Sequence, residues 1–97
     1  MFFDLPVETL SDKRNYRKFR RFLIKDGFIM LQESVYAKLA LNSTQVEQII
    51  TEVKHERPDS GIVQILSVTE KQFSKMEHLS GKIDTDIVNT DERLLII

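Results

Sequence analysis

One carboxylate and one block of cations have the types and placement that chemistry would use. Asp4 follows three apolar residues, Met1, Phe2 and Phe3, at what reads as a strand end, where α/β folds present ligand-binding groups. A hard cation such as Mg²⁺ takes one or two carboxylates, completed by water and phosphate oxygens. A single aspartate is a poor cage. Two copies brought together by a dimer axis make a better one, as metal-assisted phosphodiester cleavage requires. The plainer role for Asp4 is to cap the strand end or to pair with a nearby cation.

The cations are Lys13, Arg14, Arg17, Lys18, Arg20, Arg21 and Lys25, half of the fourteen in the chain. Asp12 and Asp26 flank them, so the block carries a net +5 in a chain whose total is −1. The local field therefore says more about partners than the overall charge does. At helical spacing Arg14, Arg17, Lys18, Arg21 and Lys25 gather on one face, opposite Tyr16, Phe19, Phe22 and Leu23. A solvated helix face usually alternates in sign, and this one does not. Such a row suits phosphate backbone contact. With Asn15 as its one amide, it is poorly equipped to read bases.

The remaining inventory is thin. Without cysteine there is no disulfide framework, thiolate zinc site, iron–sulfur cluster or cysteine nucleophile. Gly27, Gly61 and Gly81 are too far apart to form a phosphate-cradling loop. His55 and His78 lack metal-ligand spacing and read as surface residues. Apolar runs are too short to cross a membrane, and no signal peptide precedes them, which points to the cytoplasm.

Elements must position these residues. Residues 1–5 read as a strand stopped by Pro6, and 6–10 as a loop. Ser11 or Asp12 caps a helix to about Asp26, with Gly27 as its stop. Residues 28–41 form one bent strand or two short ones. Asn42 caps a second helix to about Arg57, with Gln45 placed to reach back and Val46, Ile49, Ile50 and Val53 as its apolar stripe. Residues 58–61 turn, 62–68 read as a central strand, 69–79 as a short helix capped by Thr69, and 94–97 as a last strand. Residues 83–89 are ambiguous. The order β-α-β-(β)-α-β-(short α)-β predicts a single α+β domain over residues 1–97, a ferredoxin-like sandwich with helices on one sheet face. RNA-recognition domains share that topology, but the stretch from Gly61 to Leu66 lacks the exposed aromatics they use for stacking.

Several segments together resemble the CRISPR-associated Cas-two family. Phe2-Phe3-Asp4-Leu5-Pro6 with Glu8-Thr9 resembles its first strand and loop. Tyr16-Arg17-Lys18-Phe19-Arg20-Arg21-Phe22-Leu23 with Gly27-Phe28 resembles its first helix. Met30-Leu31-Gln32-Glu33-Ser34-Val35-Tyr36 resembles its Gln-x-Ser-Val-aromatic segment, in which Ser34 and Tyr36 are motif positions without assigned chemistry. Thr69-Glu70-Lys71-Gln72-Phe73 and Asp91-Glu92-Arg93-Leu94 are similar to versions found beside Cas-nine effectors, the type II-A systems.

The resemblance implies a ferredoxin-like homodimer whose last strand contributes to the partner sheet. It implies a scaffold role in spacer acquisition, with the dimer between two Cas-one integrase dimers and holding a prespacer DNA duplex. It further implies, for many members, a metal-dependent endonuclease acting on RNA or DNA, with Asp4 at the position of the Mg²⁺ ligand and catalytic carboxylate. Arg14, Arg17 and Lys18 fall where members carry basic residues near phosphate. Asp84, Asp86, Asp91 and Glu92 could face a basic integrase surface or belong to an ordinary polar loop. Family members carry several more apolar residues before the aspartate. The three here are expected to leave ladder bonds unmade at the sheet centre, as though Met1 were internal to a longer strand. A third reading is a ferredoxin-like module for a protein or small ligand, with the basic face incidental.

Overall fold

Thr9 caps the first helix. Its hydroxyl accepts a hydrogen bond from the Asp12 backbone N–H at 2.9 Å, and the Asp12 carboxylate accepts one from the Thr9 N–H at 3.2 Å. This reciprocal box satisfies two donors that a helix start leaves free. The helix therefore begins at Leu10, and the expected caps, Ser11 and Asp12, already lie inside it. The computed structural model describes residues 1–81 and 94–97. The elements are β1 (Phe2–Asp4), α1 (Leu10–Lys25), β2 (Ile29–Gln32), β3 (Val35–Ala40), α2 (Ser43–Glu56), β4 (Ile62–Gln64), β5 (Ser67–Thr69), α3 (Glu70–Ser74) and β6 (Leu94–Ile96). The ambiguous stretch 83–89 and the acidic residues Asp84, Asp86, Asp91 and Glu92 lie outside the described residues.

Asn42 caps α2 as expected, accepting from the Gln45 N–H at 2.9 Å, while Gln45 Oε1 reaches past it to the Leu41 N–H at 2.8 Å. Thr69 and Gln72 form a second capping box at α3. That helix stops at Ser74 instead of continuing to 79, because no core lies beyond Phe73: Met76 is 45% exposed and Leu79 93%. A helix this short is held by tertiary packing rather than by propensity.

The six strands among the described residues fall into four antiparallel lines. β2 pairs one edge of β3. The other edge of β3 meets β1 at Val35, then β6 at Lys38, Leu39 and Ala40. β1 and β6 together pair with the outermost line, made of β4 and β5. The expected strand at 62–68 is thus broken between Gln64 and Ser67, although Leu66 and Ile97 still exchange both backbone hydrogen bonds. It forms an outer line, with the line of β1 and β6 inside it, not the centre. β6 lies in this chain's own sheet, where the resemblance implied a strand contributed to a partner. The fold is α+β and ferredoxin-like.

Alternation along the strands sorts side chains onto two faces. Met1, Phe3, Tyr36, Ala40 and Ile96 pack with Phe19 and Leu23 of α1 and with Val46, Ile49 and Val53 of α2. The ring of Phe3 is central: it meets Tyr16, Phe19 and Tyr36 at centroid distances of 5.9, 5.6 and 5.6 Å. Ala37, Leu95 and Ile97 point the other way, under Phe73 of α3. α1 and α2 thus share one sheet face, as expected of the two main helices, and the short helix covers the opposite one.

Candidate nucleic-acid and metal-binding faces

Asp4 sits at the end of β1, opposite Ile62 of β4. Phe3 points into the core, so Asp4 and Phe2 point to the face away from α1 and α2. The carboxylate is exposed, and its neighbours Phe2 and Ile62 are 39% and 58% exposed. Gly61 makes this strand end possible. Its φ of +94° is a left-handed value, and a Cβ there would stand 2.6 Å from the Asp4 carbonyl oxygen and 2.7 Å from Leu5 Cδ2. Only glycine meets both demands. The turn pattern at 58–61 foretold a bend but not this contact.

Among the described residues no three His, Cys, Asp or Glu side chains gather as a metal-binding group. At this strand end the described residues therefore offer Mg²⁺ fewer than three such donors, the exposed Asp4 carboxylate among them. That donor set falls short of a cage and fits a hard cation only as half of a paired site, with water and substrate phosphate filling the rest.

Arg14, Arg17, Lys18, Arg21 and Lys25 are all exposed on α1. Phe19 and Leu23 are buried on the side of the helix that meets the sheet. At about 100° per residue the five cations cluster on the side turned from it, over about 16 Å of helix axis. Lys38 pairs with Asp26 at 3.2 Å, none of the five cations makes an ion pair with a described residue, and Lys18 shares a hollow with Glu56 and Asp59. The structure thus brings the five cations together but not with Asp4: the sheet and the body of α1 separate them. His55 and His78 are exposed, as expected.

The Ser-Val-aromatic segment is structural. The Ser34 carbonyl accepts from the Phe3 N–H at 3.1 Å, and Tyr36 exchanges backbone hydrogen bonds with Met1. These bonds anchor the strand that carries Asp4. Lys38 was not singled out from the sequence. Its Nζ donates to the Asp26 carbonyl at 2.6 Å and lies 5.8 Å from the Phe28 ring centroid, a cation at the C-terminal end of α1 that fixes the helix to β3. Burial pushes the Met1 amino group down from its ordinary 8.0 to about 5.

The family model described as CRISPR associated protein Cas2 matches residues 1–76. A Treponema denticola protein named CRISPR-associated endoribonuclease Cas2 is 50% identical over 97 residues, covering 100% of this chain and 96% of that one. A Streptococcus mutans protein of the same name is 45% identical over 97 residues, covering 100% and 91%. One from Ligilactobacillus salivarius is 43% identical over 95 residues, covering 98% and 94%. With the aspartate on its glycine-backed strand end, the serine and tyrosine that anchor that strand, and the basic first helix all in place, this chain belongs to the CRISPR-associated Cas2 family.

Proposed function

We propose that this chain serves CRISPR adaptation as a dimeric scaffold that holds a prespacer DNA duplex by its backbone and spaces the active sites of the Cas-one integrase. The observation that carries this reading is the exposed row of five cations on one face of one helix, none of them in an ion pair with a described residue. Positioning a duplex needs charge at phosphate spacing and a firm platform, not a dense catalytic centre. Acting on the array would put the protein in the cytoplasm; separately, among the described residues no helix is long and apolar enough to cross a membrane. The test is reconstituted spacer integration with the cognate integrase, a prespacer duplex and an array plasmid, comparing wild type with Asp4→Ala. Equal integration supports the scaffold. Loss of integration by a variant that still dimerises and binds integrase refutes it in favour of a reaction at the carboxylate.

The second reading is a Mg²⁺-dependent endonuclease on RNA or DNA built from two Asp4 carboxylates. It is favoured by the exposed Phe2 and Ile62 beside Asp4, an apolar surround through which two copies could bring their carboxylates together. The relatives' shared name, endoribonuclease, points the same way. This reading uses the opposite face of the molecule from the scaffold, so both can hold.

A further inference from the structure

The cationic side of α1 has an acidic border. Lys18 lines an open hollow against the end of α2, together with Asn15, Phe19, Glu56, Arg57 and Asp59. Arg14, Arg17, Arg21 and Lys25 lie outside that hollow. α2 ends at Glu56, and the turn at 58–61 places Asp59 on the same hollow. Phe19 is 2% exposed and pins α1 to the core here, so its neighbour Lys18 stays beside the acidic turn. Glu56 and Asp59 are exposed, and neither is in an ion pair with a described residue. Arg57 is turned back instead: its Nη1 donates to the Lys54 carbonyl at 2.9 Å, at the C-terminal end of α2. Two open carboxylates thus flank one end of the cationic surface, and the guanidinium of the hollow is engaged with its own helix.

We propose that Glu56 and Asp59 mark the edge of the duplex track on α1 and hold phosphate off Lys18, so that the backbone lies along Arg14, Arg17, Arg21 and Lys25. The inference rests on the scaffold reading and adds what fixes the position of the duplex across the helix. Charges act over about 10 Å at about 0.1 M salt, so a phosphate brought into the hollow feels both carboxylates. Like charges set against each other at an interface exclude a position that the attractive contacts alone would allow. Phosphate contacts carry no sequence information, so a row of cations by itself accepts a duplex in many lateral positions. A repulsive border removes those that lean toward α2. A scaffold that spaces two active sites needs that fixed position.

The experiment measures binding of a labelled duplex by fluorescence anisotropy across salt concentrations for four proteins. These are the wild-type chain, Glu56→Gln with Asp59→Asn, the same pair with Lys18→Ala added, and Glu47→Gln with Glu52→Gln. The last pair removes the same charge from exposed positions of α2 outside the hollow. Neutralising the hollow should steepen the salt slope by about 0.9 for each first helix engaged, the contribution of one phosphate. Adding Lys18→Ala should return the slope to the wild-type value, and the Glu47 and Glu52 pair should leave it unmoved. An unchanged slope in the neutralised hollow overturns the proposal, and so does an equal gain from the Glu47 and Glu52 pair. A triple variant that falls below wild type by about 0.9 also overturns it, because Lys18 was then in contact from the start. A wild-type slope shallower than about −1 refutes the scaffold reading instead, and the border falls with it.

Discussion

Salt dependence puts a number on the basic helix. Each phosphate neutralised on duplex DNA contributes about −0.9 to the slope of log K against log salt. Five exposed cations on one face of α1 set an upper slope of about −4.5 for one helix on one duplex. Raising salt from about 50 to about 200 mM then weakens binding by about 500-fold. Replacing Arg17 and Arg21 with alanine leaves three contacts, a slope of about −2.7 and a loss of about 40-fold over the same range. Both side chains are exposed and make no ion pair with a described residue, so the fold should be untouched. A dimer that lays both first helices on one duplex doubles the wild-type slope to about −9, so the slope also counts the helices engaged. Fluorescence anisotropy with a labelled duplex at five salt concentrations measures it. A wild-type slope shallower than about −1, or one the double substitution leaves unchanged, refutes the assignment of α1 as the phosphate-binding surface.

Three other outcomes follow from the structure. Gly61→Ala, which forces a Cβ into the Asp4 carbonyl and a left-handed backbone angle, should cost at least about 1–3 kcal/mol, read as a lower midpoint in urea unfolding. Asp4→Asn should abolish any Mg²⁺-dependent cleavage, as should chelation, while duplex binding and its salt slope stay at wild-type values because the residue lies on the face away from α1. The Met1 amino group binds its proton more weakly folded than unfolded. The stability this contributes is therefore present above about pH 8 and lost as pH falls toward 5, and acetylating that amine should flatten this part of the melting-temperature profile.

Local rules made much of this legible. Asn42 and Thr69 are capping residues with their partners three places on, and both caps formed. The 3.6-residue stripes placed Phe19, Leu23, Val46, Ile49 and Val53 in the core and the five cations outside. The apolar run before Pro6 marked Asp4 as a strand-end carboxylate, and the sheet leaves it exposed. Thr9 was missed because Asp12 reads equally well as a cap or as the third residue of a capping box. What failed otherwise was long-range. The stretch 62–68 has the pattern of a buried central strand, but its neighbours were set by pairings with both ends of the chain. The contact that makes Gly61 necessary joins residues far apart in sequence, and no local pattern encodes it. The apolar run from Leu94 to Ile97 announced a strand needing a partner without saying which one.

The separation of Asp4 from the cationic side of α1 has a kinetic consequence. A polyanion on the helix leaves the aspartate uncovered, so the two ligands do not exclude one another. Heparin or a non-cleavable duplex saturating α1 would lower the apparent kcat of any reaction at Asp4, if it acted at all, without raising KM. A competitive pattern would require one ligand to wrap from one side of the molecule to the other. On the proposed scaffold reading, a duplex held on α1 would travel as a permanent passenger while the opposite surface stayed open for different traffic.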